Sequence, residues 1–548
     1  MFIIIGSIFL GLVYVSVAII TDLQYAQFLD SIGLDPGYYV FLREYGYMVF
    51  LFIGLALIIF PLGRVKQLFV CRIAGLNWDI NNFCRGWLII GETGSGKTAA
   101  GIMQILHQLF RNVNPAKGLK HWGGVAVDEK GNFFKIIQGI AKHYKQEDRL
   151  VVLQVRPEDA EDDWTPAFTY NLLSYPGIPE STFAKMIVDT ASSLGQETSG
   201  SGNFFKTQAQ LHIEWGIKFL KEFKEFDREF GHSVHQSLPA SAEGTDLSPL
   251  DIYKSIPTYV SISNVYDLLT NVVLFKKQIS GLKLINNKLS NKMLMECIMH
   301  FEEKYIKQPD EQRGAVTSTI QNFLGFFNAP ELKEVFCTEE NSFDFRSIDE
   351  GIIFSISMPQ KFQSERRYIN TFFKLLYYTH ALKRFDRPDD LRENNMLLFI
   401  ADEAQGIVSS AKDGMSDYQV VDKIREAQAT VLFATQSIVS FRGAGLSKEQ
   451  VDTLILNLAN RIIFKVPDSE SADIVAEMIG QREVEERSRS TGKQGYTFSY
   501  SKKEKFIIPP RILRAFRKFE CVLMHSDGKH RRLRLAPLLS DGSKAKYK

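Results

Sequence analysis

Residues 87–98 read WLIIGETGSGKT, an apolar run that meets a glycine-rich octet ending in Gly96-Lys97-Thr98. The next residues, AAGIMQILHQLF, have helical spacing. Strand, loop and helix in this order constrain the fold, because the octet fits G-x-x-x-x-G-K-T. Its glycines let the loop curl until backbone N–H groups converge on phosphate oxygens at a helix N-terminus. The cradle is expected over Gly91, Glu92, Thr93, Gly94, Ser95, Gly96, Lys97 and Thr98. Lys97 then reaches the β- and γ-phosphates, and the Thr98 hydroxyl is offered to Mg²⁺, so ATP and Mg²⁺ are the expected ligands.

A second landmark is MLLFIADE at residues 396–403. The apolar stretch reads as a strand buried on both faces, as in a parallel sheet. Asp402 at its end is placed to hold Mg²⁺, and Glu403 is the natural general base for a water. TVLFATQS at 430–437 reads as another strand ending near Gln436. That amide either senses the γ-phosphate or satisfies a loop. DKIREAQA at 422–429 reads as helical and carries Arg425. This arginine either enters a neighbouring subunit's site or is a solvated helix residue.

Lys97 and Asp402 lie 305 residues apart, far more than a plain phosphate-loop fold needs. GGVAVDEKG (123–131) and DRLVVLQVR (148–156) look like two further strands with a helix between them. From 178 to 338 the text is helical, with runs such as FAKMIVDTASSL and QAQLHIEWGIKFLKEFKEF, and GQETSGSGN (195–203) reads as a loop. Strands resume at GIIFSISMP (351–359) and RIIFKV (461–466), and the end reads as a helix followed by a short strand pair. The expectation is an α/β fold: a discontinuous nucleotide-binding domain over 66–177 and 339–548, interrupted by an all-α insert over 178–338.

Residues 2–20 and 45–63 are uncharged apolar runs. Nineteen helical residues span about 28 Å, close to a hydrocarbon core. Four acids and one arginine lie between them, whereas Arg64, Lys66 and Arg72 follow the second. The positive-inside rule then places both termini and the bulk on the cytoplasmic side of a two-helix transmembrane anchor over 1–65. Residues 501–548 hold fourteen Lys and Arg against four Asp and Glu. That end either touches a polyanion or anionic lipid, or is a solvated terminus. The five cysteines make no CxxC pair, which fits reduced thiols in a cytosolic body.

The order of these pieces resembles the type IV secretion coupling proteins. The likeness rests on two spans, GETGSGKT, VAVDEKG, a helical insert with GNFFKTQAQ, then SFDFRSIDEGIIFSISMP, LLFIADEAQ, VLFATQS and NLANRIIFKVPDSESADIVAEMIG. It implies a RecA-like hexameric ATPase at the bacterial inner membrane. Such a ring receives relaxase-bound single-stranded DNA or effector protein and delivers it to secretion-channel proteins. It also assigns Lys97, Thr98, Asp402, Glu403 and Gln436 the roles above, and makes Arg425 the candidate trans arginine. Phe205 stands where many members have Trp, and the chain ends in basic residues where many relatives carry a longer acidic tail. A septal-type double-stranded DNA translocase and a docking receptor that uses ATP as a switch are the rival readings.

Overall fold

The structure, a computed structural model, describes residues 68–113, 120–194, 201–238, 248–289, 291–387, 395–410, 415–492 and 495–545, together with Ser31. Both expected membrane spans lie outside the described residues. Among the described residues no helix is long and apolar enough to cross a membrane.

A short hairpin, β1 (Cys71–Ile73) and β2 (Leu76–Trp78), precedes β3 (Trp87–Ile90). After the glycine loop, Lys97–Ile102 winds as a π-helix into α1 (Met103–Arg111). Then come β4 (Gly123–Asp128), α2 (Phe133–His143) and β5 (Leu150–Gln154). Eight helices follow: α3 (Glu180–Ser193), α4 (Ser201–Ser237), α5 (Pro249–Lys254), α6 (Ile262–Thr270), α7 (Val272–Leu289), α8 (Lys292–Phe301), α9 (Asp310–Leu324) and α10 (Pro330–Phe336). Next are β6 (Ile353–Ser357), α11 (Gln363–Lys383), β7 (Leu397–Asp402), β8 (Ala429–Thr435) and β9 (Asn460–Ile463). The last strands are β10 (Gln481–Gly492), β11 (Gly495–Phe506), β12 (Glu520–Met524) and β13 (His530–Arg534).

Nine strands make one sheet in the order β13-β12-β9-β3-β8-β7-β4-β6-β5. The seven from β9 to β5 are parallel, and β12 and β13 add an antiparallel edge. Every residue of β3 and β8 is buried. Leu88 and Ile90 enter the apolar cluster on one face, Trp87 and Ile89 that on the other. Two covered faces explain why these strands read as unbroken apolar runs. The helices α3–α10 share the core of the first face: Phe183, Ile187, Phe372 and Phe373 belong to the same cluster as Leu88.

A buried network holds the segment after β7. Lys374 Nζ and Asp417 Oδ2 are 2.6 Å apart with both side chains fully buried. Tyr378 Oη donates to Asp417 Oδ1 at 2.6 Å, and the Ser409 N–H donates to Asp417 Oδ2 at 2.7 Å. The remaining lone pairs of the carboxylate are thus satisfied, as a buried charge requires.

Two local expectations change, one is met and one element is new. The segment expected as a helix over 422–429 is a 3-10 turn, Lys423–Ala427, ended by Gln428 at φ 54°. The left-handed residue reverses the chain so that β8 can begin at once. Of the expected loop at 195–203, residues 201–203 already belong to α4. The basic end forms the helix (Pro510–Arg514) and strand pair (β12 and β13) expected of it, and the Leu538 N–H donates to Ala99 O at 2.9 Å. The hairpin of β10 and β11 has no counterpart in the sequence reading. Charged residues dominate β10 and the second half of β11, and cross-strand pairs such as Glu486 with Lys503 at 2.9 Å line it. All five cysteines are buried and free.

Candidate nucleotide site

The loop of residues 91–96 is held at both flanks. The Gly91 N–H donates to Thr435 O at the end of β8 (3.2 Å), and the Glu92 N–H to Lys465 O just past β9 (2.8 Å). Lys465 also pairs with the Glu92 carboxylate at 2.8 Å. Gly96 takes φ 118°, and a Cβ there would lie 2.5 Å from the Phe519 ring, so only glycine fits. Phe519 itself donates its N–H to Ser95 O at 3.0 Å. Thr93 and Gly94 are exposed at the tip.

Lys97 folds over this loop and donates to Gly91 O at 2.7 Å. Burial lowers the pKa of its ammonium, opposed chiefly by the charges of Asp402 and Glu403. Thr98 Oγ1 donates to Asp402 Oδ2 at 2.7 Å and so joins the loop to the end of β7 across β8. Burial raises the Asp402 pKa, and the Thr98 hydrogen bond and Lys97 charge oppose it. Two buried polar atoms, Ser95 Oγ and Asp128 Oδ1, have no hydrogen-bond partner. Such orphans are costly unless a ligand or solvent meets them. An inward-curled loop, a lysine inside it, a hydroxyl beside a buried carboxylate and an unpaired Ser95 hydroxyl suit a nucleoside phosphate with a divalent cation. Thr98 and Asp402 are the donors that would hold the metal.

Glu403 sits at φ 65°, and its carboxylate is 3.8 Å from Lys130 Nζ. A second acid, absent from the sequence reading, meets it. In the parallel pair β4·β7, Asp128 stands opposite Asp402, so the successive acids Asp128-Glu129 and Asp402-Glu403 lie side by side. The Glu129 carboxyl is pushed up to about 7, first by burial, then by a hydrogen bond to Glu403 and the charge on it. Arg367 lies 3.9 Å from Glu129 and donates to Gly406 O at 3.0 Å. VAVDE and LFIADE end in the same two acids, but only the pairing of β4 with β7 shows that they meet.

Gln436 follows the last residue of β8, half-buried between the phosphate loop and the acids. Arg425 is elsewhere. It precedes β8, at the strand ends opposite the loop, where its charge acts on buried Cys84 ahead of β3. The chain therefore brings Lys97, Thr98, Asp402, Glu403 and Gln436 together and leaves Arg425 outside its own cradle.

The family model described as "TraM recognition site of TraD and TraG" matches residues 396–518, from β7 through β11. No curated protein matches the chain in sequence. Among solved structures, the bacterial conjugative coupling protein TrwBdeltaN70, unbound form, superposes with a TM-score of 0.55 at 13% identity, covering 87% of this chain and 91% of that one. The chain has the fold of a coupling protein. The plasmid coupling protein TrwB in complex with a non-hydrolysable ATP analogue matches at a TM-score of 0.51 and 13% identity, over 85% of this chain and 88% of that one. TrwB in complex with ADP and Mg²⁺ matches at 0.50 and 12%, with the same coverage. The motif-order resemblance to type IV coupling proteins is matched by this fold and by the family model over 396–518.

Proposed function

We propose that the chain is a membrane-associated ATPase that couples nucleotide hydrolysis to delivery of cargo into a type IV secretion channel. The observation that carries this reading is the Thr98–Asp402 hydrogen bond, which joins a complete phosphate loop to an acid-bearing strand across β8. The solved neighbours add that coupling proteins of this fold have been seen with ATP analogue and with ADP and Mg²⁺.

In this reading bound Mg-ATP supplies the phosphoryl group and the charge-neutralising metal. Lys97 leaves Gly91 O and pairs with phosphate, while Thr98 and Asp402 hold the metal. Glu403 orients water and takes its proton, and Gln436 senses the γ-phosphate at the end of the strand between them. The motor comprises 66–177 and 339–548, and the helices of 178–338 select cargo. A two-span anchor over 1–65 fixes the machine at the inner membrane as a homo-hexamer. The cargo class is relaxase-bound single-stranded DNA or effector protein. The family match over 396–518 supports a relaxosome-type partner on the motor itself.

Lys97→Ala is expected to lose both nucleotide affinity and turnover. Glu403→Gln is expected to keep affinity and lose turnover by 10²–10⁴-fold, the usual range for a general base. Nucleotide binding by fluorescence and steady-state phosphate release test both; parental turnover in Glu403→Gln would remove the base assignment.

A further inference from the structure

The helix α7 has two unlike faces. Phe275, Gln278, Ile279 and Leu282 are buried among its neighbours. On the other side Val273, Lys277, Ser280 and Leu284 recur at i, i+4, i+7 and i+11, one stripe of a 3.6-residue helix. Val273 is 73% exposed and Leu284 70%, so among the described residues little covers either apolar side chain. They stand at the two ends of a cavity of about 1150 Å³, floored by Ile252, Ile285 and Ile306. Eleven residues of rise make about 16 Å, three helical turns. Ser280 and Gly281 lie at its middle, and a Cβ on Gly281 would meet nothing nearer than Ile252 at 4.0 Å. A second backbone can therefore approach closely there.

Charge decides what fits. The sequence of α7, VVLFKKQISGLKLINNKL, holds four lysines and no acid. Lys283 is paired with Glu302 at 2.5 Å. Lys276 and Lys277 are exposed on the cavity wall and have no ion pair among the described residues. Arg313 on the opposite wall is taken up by Asp310 and by the Ile306 and Gln308 carbonyls. Among the described residues no aromatic ring lines the cavity, which there offers no stacking surface of the kind that single-stranded nucleic acid uses.

We infer that this groove docks an amphipathic, acidic helix of a protein partner, its apolar side between Val273 and Leu284 and its carboxylates on Lys276 and Lys277. Helix-in-groove recognition uses this spacing of anchors. The inference gives a chemistry to the proposed cargo selection by the helices of 178–338 and rests on that reading.

The probe is a labelled eighteen-residue helical peptide with leucines on one face and glutamates flanking them, a lysine-for-glutamate copy, and a dT20 oligonucleotide. Each is titrated against the full chain in detergent by fluorescence anisotropy. The acidic peptide is expected to bind at least tenfold tighter than its lysine copy. Val273→Glu with Leu284→Glu should cost tenfold or more, and Lys276→Glu with Lys277→Glu should reverse the preference between peptides. These side chains are exposed, so basal ATP turnover should stay within twofold. Equal binding of both peptides, no binding of either, or affinity unmoved by the substitutions overturns the groove. So does dT20 binding that the same substitutions abolish while the peptides do not bind. Turnover in the same samples keeps the two readings apart. Hydrolysis without peptide preference sinks the groove alone, and preference without hydrolysis sinks the motor alone.

Discussion

Glu129 and Glu403 stand at the ends of neighbouring strands, and burial together with the nearby Glu403 carboxylate favours Glu129 keeping its proton. Glu129 keeps that proton up to about 7 in the folded chain, against an ordinary value of 4.5. Between those values the folded state binds more protons than the unfolded one, so stability falls as pH rises through this window and levels above it. Glu129→Gln removes the titration. Its melting temperature relative to the parent is expected to climb between pH 5 and pH 8, read by differential scanning calorimetry. A constant gap across that range would place the proton elsewhere. At this scale the site was largely legible, because phosphate chemistry demands fixed residue types at fixed spacing. Lys97, Thr98 and Asp402 stand where the motif reading put them, with Thr98 bonded to Asp402. Glu129 was not legible. Its role depends on which strand lies beside β7, and a run such as VAVDE does not carry that information.

The elements around the site are pinned by charges the motifs do not mention. Lys374 is the one Lys or Arg in YINTFFKLLYYTH, a buried stretch of α11, and its partner Asp417 lies on a short helix beyond β7. Breaking one half of a fully buried pair strands the other charge, at a cost of about 3–5 kcal/mol. Lys374→Met is expected to lose about that much in urea denaturation, and Lys374→Met with Asp417→Leu to regain part of it. A single variant as stable as the parent would show that water reaches the pair. Strands were legible as elements, because burial on two faces leaves continuous apolar runs such as LLFIA and TVLFAT. The β10–β11 hairpin was not, since its strands are rich in charge and pair through backbone and ion pairs that a search for buried apolar runs passes over.

At the scale of the molecule, Arg425 lies at the wrong ends of the strands to serve its own cradle. If it completes a neighbour's site, turnover should rise steeply with protein concentration. Mixing Arg425→Ala subunits with Glu403→Gln subunits should then recover part of the activity each lacks. One interface type in the mixed ring pairs an intact base with an intact arginine. Both variants assembling with no recovery, by sedimentation and phosphate release, would count against the trans role. Strand order was beyond the sequence, because apart from β7 with β8 the parallel neighbours are set by packing between residues hundreds of positions apart. β3 pairs with β8 and β9, which are made more than three hundred residues later.

That pairing has a consequence for the chain as it leaves the ribosome. The strand bearing the phosphate loop emerges early and stays without either sheet neighbour until β8 and β9 follow it out. At about 5–20 residues per second the wait is on the order of 20–70 seconds. Throughout it Trp87, Leu88, Ile89 and Ile90 have neither of the sheet neighbours that flank them in the finished protein. Long-range parallel pairing of this kind is slow and exposed to aggregation. A nascent chain stalled before residue 429 should therefore be protease-sensitive at β3 and held by chaperones. One stalled beyond residue 545, with β12 and β13 clear of the exit tunnel, should already bind nucleotide.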